Sequence, residues 1–184
     1  MQILQIFIQS AHLLAIGIGV CLPLIVILLN RKLVGFTDEA HQATLWSFNL
    51  RLIRHSYVLI FLGSLLGFGL AGVLWSEGYH QRCHLVMTKF KWAGVEWAFS
   101  MAVFPAVYLQ WKRSRGGTVA FWVRAIVLSV GSINLLYHFP ILFMVIGAIP
   151  EQQVVELTEA GQQLSREDFN ELAHSAESLS RWIH

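Results

Sequence analysis

Charge is the scarcest ingredient of this chain: Asp, Glu, Lys and Arg make up 13% of its 184 residues, against roughly 25% in a soluble domain. With 55% hydrophobic residues and a mean hydropathy of +0.56, that shortage excludes an ordinary water-soluble globule. No Lys/Arg-rich stripe with interleaved aromatics occurs and the net charge is only +2, which excludes nucleic acid as a partner. Two cysteines cannot staple a disulfide scaffold. A Gly-rich phosphate loop, a His-Glu-x-x-His pair, a Ser/His/Asp set and paired carboxylates are all missing, so the common hydrolytic and nucleotide chemistries lack their residues. The start, Met1-Gln2-Ile3-Leu4-Gln5, lacks the basic n-region of a signal peptide. The first hydrophobic segment is expected to be retained.

What remains is apolar sequence in long runs. A helix needs about 20 mostly apolar residues to cross the hydrocarbon core, and four stretches qualify, near 6–29, 57–75, 92–111 and 118–149. The expected fold is all-α: an integral membrane four-helix bundle over 1–149, followed by an acidic tail over 150–184. That tail holds seven acids against Arg166 and Arg181. Ser165 with Asp168 three residues on reads as a capping box, opening an amphipathic surface helix with Phe169, Leu172, Ala176, Leu179 and Ile183 on one face. The lipid bilayer is the first partner. The tail helix either lies on the bundle or docks a subunit of a larger membrane complex.

Orientation follows from basic residues in short loops. The first turnaround carries Arg31, Lys32, Arg51 and Arg54, and the third Lys112, Arg113 and Arg115, against Arg82, Lys89 and Lys91 in the middle loop. Both termini and the Glu77–Lys91 loop are therefore expected on the outer side of a bacterial inner membrane or its organelle equivalent.

Ionisable groups inside lipid are costly and mark functional positions. Four lie in or near the spans: His12, His55, Glu96 and His138. At 1.5 Å per residue His12 lies about 9 Å and His138 about 16 Å below the outer edge, with His55 about 7 Å from the inner one; a kink at Pro140 would blur these depths. His12 and His138 thus share the outer half. Two imidazoles at one level on different helices suit axial ligation of a single heme b, each ring binding iron through one nitrogen while the other donates to a neighbour. Gly131, Asn134, His138 and Val145 share a face of the fourth span, and Gly19 lies two turns after His12. Gly63, Gly67 and Ala71 repeat at four-residue spacing, a pattern of close helix contact. These glycines suit a porphyrin slot or ordinary packing, and Asn134 a hydrogen bond beside the ligand. A membrane histidine can equally serve as a hydrogen-bonding residue between helices. His55, beside Arg51 and Arg54, is expected to touch lipid phosphates or a heme propionate; no second histidine at its depth offers a second heme. Glu96 is expected to pair with Lys89 or Lys91, or to accept a proton near the site. In His80-Gln81-Arg82-Cys83-His84, His80 stands where Cys-x-x-Cys-His would have its first cysteine, which leaves a polar loop, a single-cysteine heme attachment or a small His/Cys metal site.

The segment Ala11-His12-Leu13-Leu14-Ala15-Ile16-Gly17, with Arg51-Leu52 before the second span, Gly63 and Gly67 within it and Lys91 at the start of the third, resembles a bacterial group. That group comprises the four-helix, heme-containing membrane protoporphyrinogen oxidases and the related copper-resistance D-type membrane domains. The resemblance covers about the first 115 residues. It implies heme b on His12 and a functional role for Lys91. The family's Trp-x-x-Gly after the first histidine and its Thr-x-Pro in the second helix have no counterpart, and His138 stands outside its pattern. Three functions follow: a b-type cytochrome passing electrons between a redox partner or quinol and an outer acceptor, a porphyrinogen oxidase, and a cofactor-free accessory subunit.

Overall fold

A computed structural model describes residues 2–33, 39–114 and 118–175, with only the backbone given for residues 2 and 31–33. The side chains of Arg31, Lys32 and Arg115, and the Ala176, Leu179 and Ile183 part of the expected tail face, lie outside the described residues. Among the described residues seven helices follow one another: α1 (Gln2–Leu33), α2 (Glu39–Val73), α3 (Glu77–Leu85), α4 (Met87–Arg113), α5 (Thr118–Ala148), α6 (Glu151–Glu159) and α7 (Arg166–Ala173). No strand occurs among the described residues. Four helices, α1, α2, α4 and α5, are long and apolar enough to cross a membrane. Their outward surface is what lipid requires: Phe7, Leu14, Phe68, Val119 and Ile126 are exposed, while Asn49, Ser56, Ser100, Arg124 and Ser132 are buried.

The helix that contains the second expected span starts well before it. α2 begins at Glu39, eighteen residues before the expected edge at Tyr57. Arg51, Arg54 and His55 end the apolar run, but charge does not break a helix; only Gly and Pro carry a large propensity cost, and neither occurs between 39 and 62. From Arg54 to Val73 the rise is about 29 Å, matching the hydrocarbon thickness of about 30 Å. α5 runs through Pro140 as one helix. The Glu77–Lys91 loop is mostly helical too, because Ser76 accepts from the Tyr79 amide and caps α3.

The chain forms two compact units, one of residues 1–73 and 98–135, the other of 74–97 and 136–184. In the first, α1 and α2 run antiparallel. The α2 stripe Asn49, Ile53, Ser56, Ile60 and Gly63 is buried, at alternating spacings of four and three that keep one face on a neighbour. Ser56 donates to the Gly19 carbonyl at 2.6 Å. α4 and α5 are tied by Ser100 donating to the Gly131 carbonyl at 3.0 Å. Arg124, 5% exposed, donates to Gln110 at 2.7 Å and to the Ser114 carbonyl at 2.9 Å. Its guanidinium lies 5.1 Å over Trp111 and 5.9 Å over Trp46.

In the second unit the acidic tail belongs to the core. Val154, Leu164 and Ala173 pack with Cys83, Leu85, Val86, Leu142, Val145, Ile146 and Ile149. The Leu164 amide donates to the Leu85 carbonyl at 2.9 Å, and Arg82 donates to the Ile149 carbonyl where α5 ends. The expected cap of α7 is present, with Ser165 accepting from the Asp168 amide at 3.1 Å.

Candidate functional site

His12 projects from α1 onto the glycines of α2. Its Nδ1 lies 2.7 Å from the Gly63 carbonyl oxygen. A carbonyl only accepts, so Nδ1 carries the proton and Nε2 keeps its lone pair. The ring fits because Gly67 has no side chain: a Cβ there would stand 2.9 Å from His12 Cε1. At Gly63 a Cβ would stand 2.7 Å from Ile16 Cδ1, at Gly19 2.8 Å from Ile60 Cγ1, and at Gly131 2.9 Å from Phe104 Cε1. Four of the glycines singled out by spacing therefore admit protein side chains, the packing use of small residues.

His138 belongs to the other unit. Its Nδ1 lies against Glu96 Oε2, in a close charge contact that lacks hydrogen-bond alignment. In the neutral ring, a carboxylate beside Nδ1 would favour the proton there and leave Nε2 as the acceptor nitrogen. Glu96 thus meets His138 rather than the lysines. Lys89 lies two turns away, about 10.5 Å, and instead holds its ammonium 4.8 Å from the centre of the Phe169 ring; Lys91, five residues off, is on another face and exposed. The pair lines a cavity of about 380 Å³ whose walls include Lys89, Trp92, Tyr137, Met144, Phe169 and His174. The sequence held a clue, since the expected depths place Glu96 and His138 at the same end of their spans. The contributions of Phe169 and His174 carry no sequence signal, because only the folded tail brings them there.

The other expected residues are placed apart. His55 is exposed, with Nδ1 2.6 Å from the Arg51 carbonyl of its own helix. Asn134 is half-buried on α5. Cys83 packs into the core while His80 and His84 are exposed, so the loop cysteine does not join those histidines. Among the described residues, no group of three or more His, Cys, Asp or Glu converges to hold a metal ion. Comparison with known protein families, curated proteins and solved structures finds no match.

Proposed function

We propose that this chain is a membrane-embedded b-type heme protein that transfers electrons as a subunit or partner of a redox complex. In this reading the four long helices form one bundle, α7 lies on its surface, and both termini face the outer side of a bacterial inner membrane or its organelle equivalent. His12 and His138 would hold one heme b, each with an imidazole nitrogen. The observation that carries the reading is His12: its Nδ1 faces the Gly63 carbonyl at 2.7 Å, so Nε2 is the nitrogen that a metal would take in the neutral ring. His138, with Glu96 on its Nδ1, has the same donor chemistry. When bound, heme b supplies a one-electron iron couple.

The protein's own residues do the rest. The Gly63 carbonyl and Glu96 orient the two rings, Asn134 is a polar neighbour one turn from His138, and Arg51, Arg54 and His55 meet lipid phosphate or a propionate. The cavity beside Glu96 offers an apolar, aromatic approach for a lipid-soluble donor such as a quinol, with a carboxylate to take its proton. A visible spectrum of the purified chain, oxidised and dithionite-reduced, tests the reading. Low-spin heme is expected in the wild type and in His55→Ala, and its loss in His12→Ala and His138→Ala. A wild type without heme, or both single variants with full low-spin heme, overturns it.

A second reading has its own support. Both imidazoles already have neighbours within the protein, His12 in an interhelical hydrogen bond to the Gly63 carbonyl and His138 against Glu96, and this favours a cofactor-free accessory subunit. Absence of heme in the wild type selects it. With heme present, turnover of a porphyrinogen selects the oxidase that the resemblance implies.

A further inference from the structure

We propose that His80 and His84 form a two-nitrogen site for a divalent transition-metal ion on α3. The site is separate from the heme reading and uses none of its residues. Four residues apart on one helix, the two side chains project from the same face one turn apart; this is the spacing by which paired helical histidines bind zinc. Their ring centres lie 6.5 Å apart with planes at 65°, a separation that side-chain rotation closes to a shared ligand. Neither imidazole is hydrogen-bonded to another described residue, and both are exposed.

The backbone beneath them is fixed. Ser76 caps the start of α3, Cys83 and Leu85 anchor its other face in the core, and the Leu85 carbonyl is bound by the Leu164 amide. Trp75 lies against His80, with ring centres 5.3 Å apart and planes tilted by 37°, which restricts that ring. The two histidines therefore stand on a rigid element, the condition for a preorganised site. They line a cavity of about 250 Å³ together with Glu77, Gln81, Thr158 and Gln162. Those side chains bring carboxylate and amide oxygens to the ion's remaining positions or to its bound waters. Neutral imidazole selects zinc, nickel or copper over magnesium and calcium, which take oxygen ligands. Two protein ligands fall short of the four of a structural zinc centre, so the ion is exchangeable.

Calorimetric titration of the full chain, purified in detergent with a histidine-free tag, tests this with Ni²⁺, Zn²⁺ and Ca²⁺ at pH 7.5. One Ni²⁺ or Zn²⁺ per chain is expected, with affinity falling at least tenfold in His80→Ala and in His84→Ala and unchanged in His174→Ala. Both varied residues are exposed, and an unchanged helical circular dichroism spectrum verifies the fold. Undiminished affinity in both variants, no binding by the wild type, or equal binding of Ca²⁺ overturns the site. None of these outcomes bears on whether the chain carries heme.

Discussion

Tyr79 and Cys83 stand one turn apart on α3, where the second unit's core closes over them. Burial, with Cys83 beside it, pushes the Tyr79 phenol from 10.0 up to about 12, and burial likewise raises the Cys83 thiol above 9.0. The folded chain holds both protons more tightly than the unfolded one. The associated stability is therefore fully present below the unfolded values and is lost as pH rises through the folded ones. The thermal midpoint of the detergent-solubilised chain should accordingly fall between pH 9 and 12. Tyr79→Phe removes the larger titration, so its alkaline slope should be shallower than that of the wild type; equal slopes would show that the phenol keeps its proton no better folded than unfolded. At this scale His12, His138 and Glu96 were legible in the sequence as costly groups in lipid. Their partners were less so. Glu96 was assigned to charges near it in the chain, whereas its contact comes from another helix, and local spacing does not encode that.

At the scale of elements, the α1–α2 pair shows what glycine spacing conveys and what it omits. Gly63 and Gly67 announce close approach, but not that Ile16 and the His12 ring fill the space, because the register of α1 on α2 is a tertiary property. Alanine at two neighbouring positions separates the cases. A Cβ at Gly67 would stand 2.9 Å from His12 Cε1, while one at Gly69 meets nothing within 4 Å. Gly67→Ala should therefore destabilise by about 1–3 kcal/mol through overpacking, and Gly69→Ala should be neutral or stabilising by up to about 1 kcal/mol through helix propensity. Thermal unfolding in detergent measures both, and equal midpoints would mean that His12 does not sit against Gly67. Short helices were harder to foresee than long ones. α7 was readable from Ser165 and Asp168. α3 and α6 carry only nine residues each, too few for periodicity to stand out, although Ser76 before Glu77 and Pro150 before Glu151 are start signals.

Among the described residues, the spans expose many large apolar side chains, such as Phe7, Leu14, Phe68 and Ile126, while also burying a few polar ones, such as Asn49, Ser56 and Ser132. Membrane character was legible from composition because lipid imposes it on every span at once. Orientation depends on a few charges instead. In the first unit the start of α2, the end of α4 and the start of α5 gather at one end, where Trp46 and Trp111 meet edge to face at 5.3 Å and Arg124 binds the Ser114 carbonyl. Lys112 and Arg113 are exposed at that end, and Arg51 and Arg54 are exposed farther along α2. Basic residues near span ends stay on the cytoplasmic side, so this end should face inward and the C-terminal tail outward. In a background carrying Cys21→Ala and Cys83→Ala, Ser114→Cys should resist a membrane-impermeant maleimide in intact cells and react after lysis. Gln162→Cys, exposed beyond α6, should react in both. The opposite pattern would put His12 in the inner half of the bilayer and move any electron acceptor to the cytoplasmic side. Reaction of both positions in intact cells would put them on the same side, so α5 would not cross the bilayer between them and the four-span topology itself would fall.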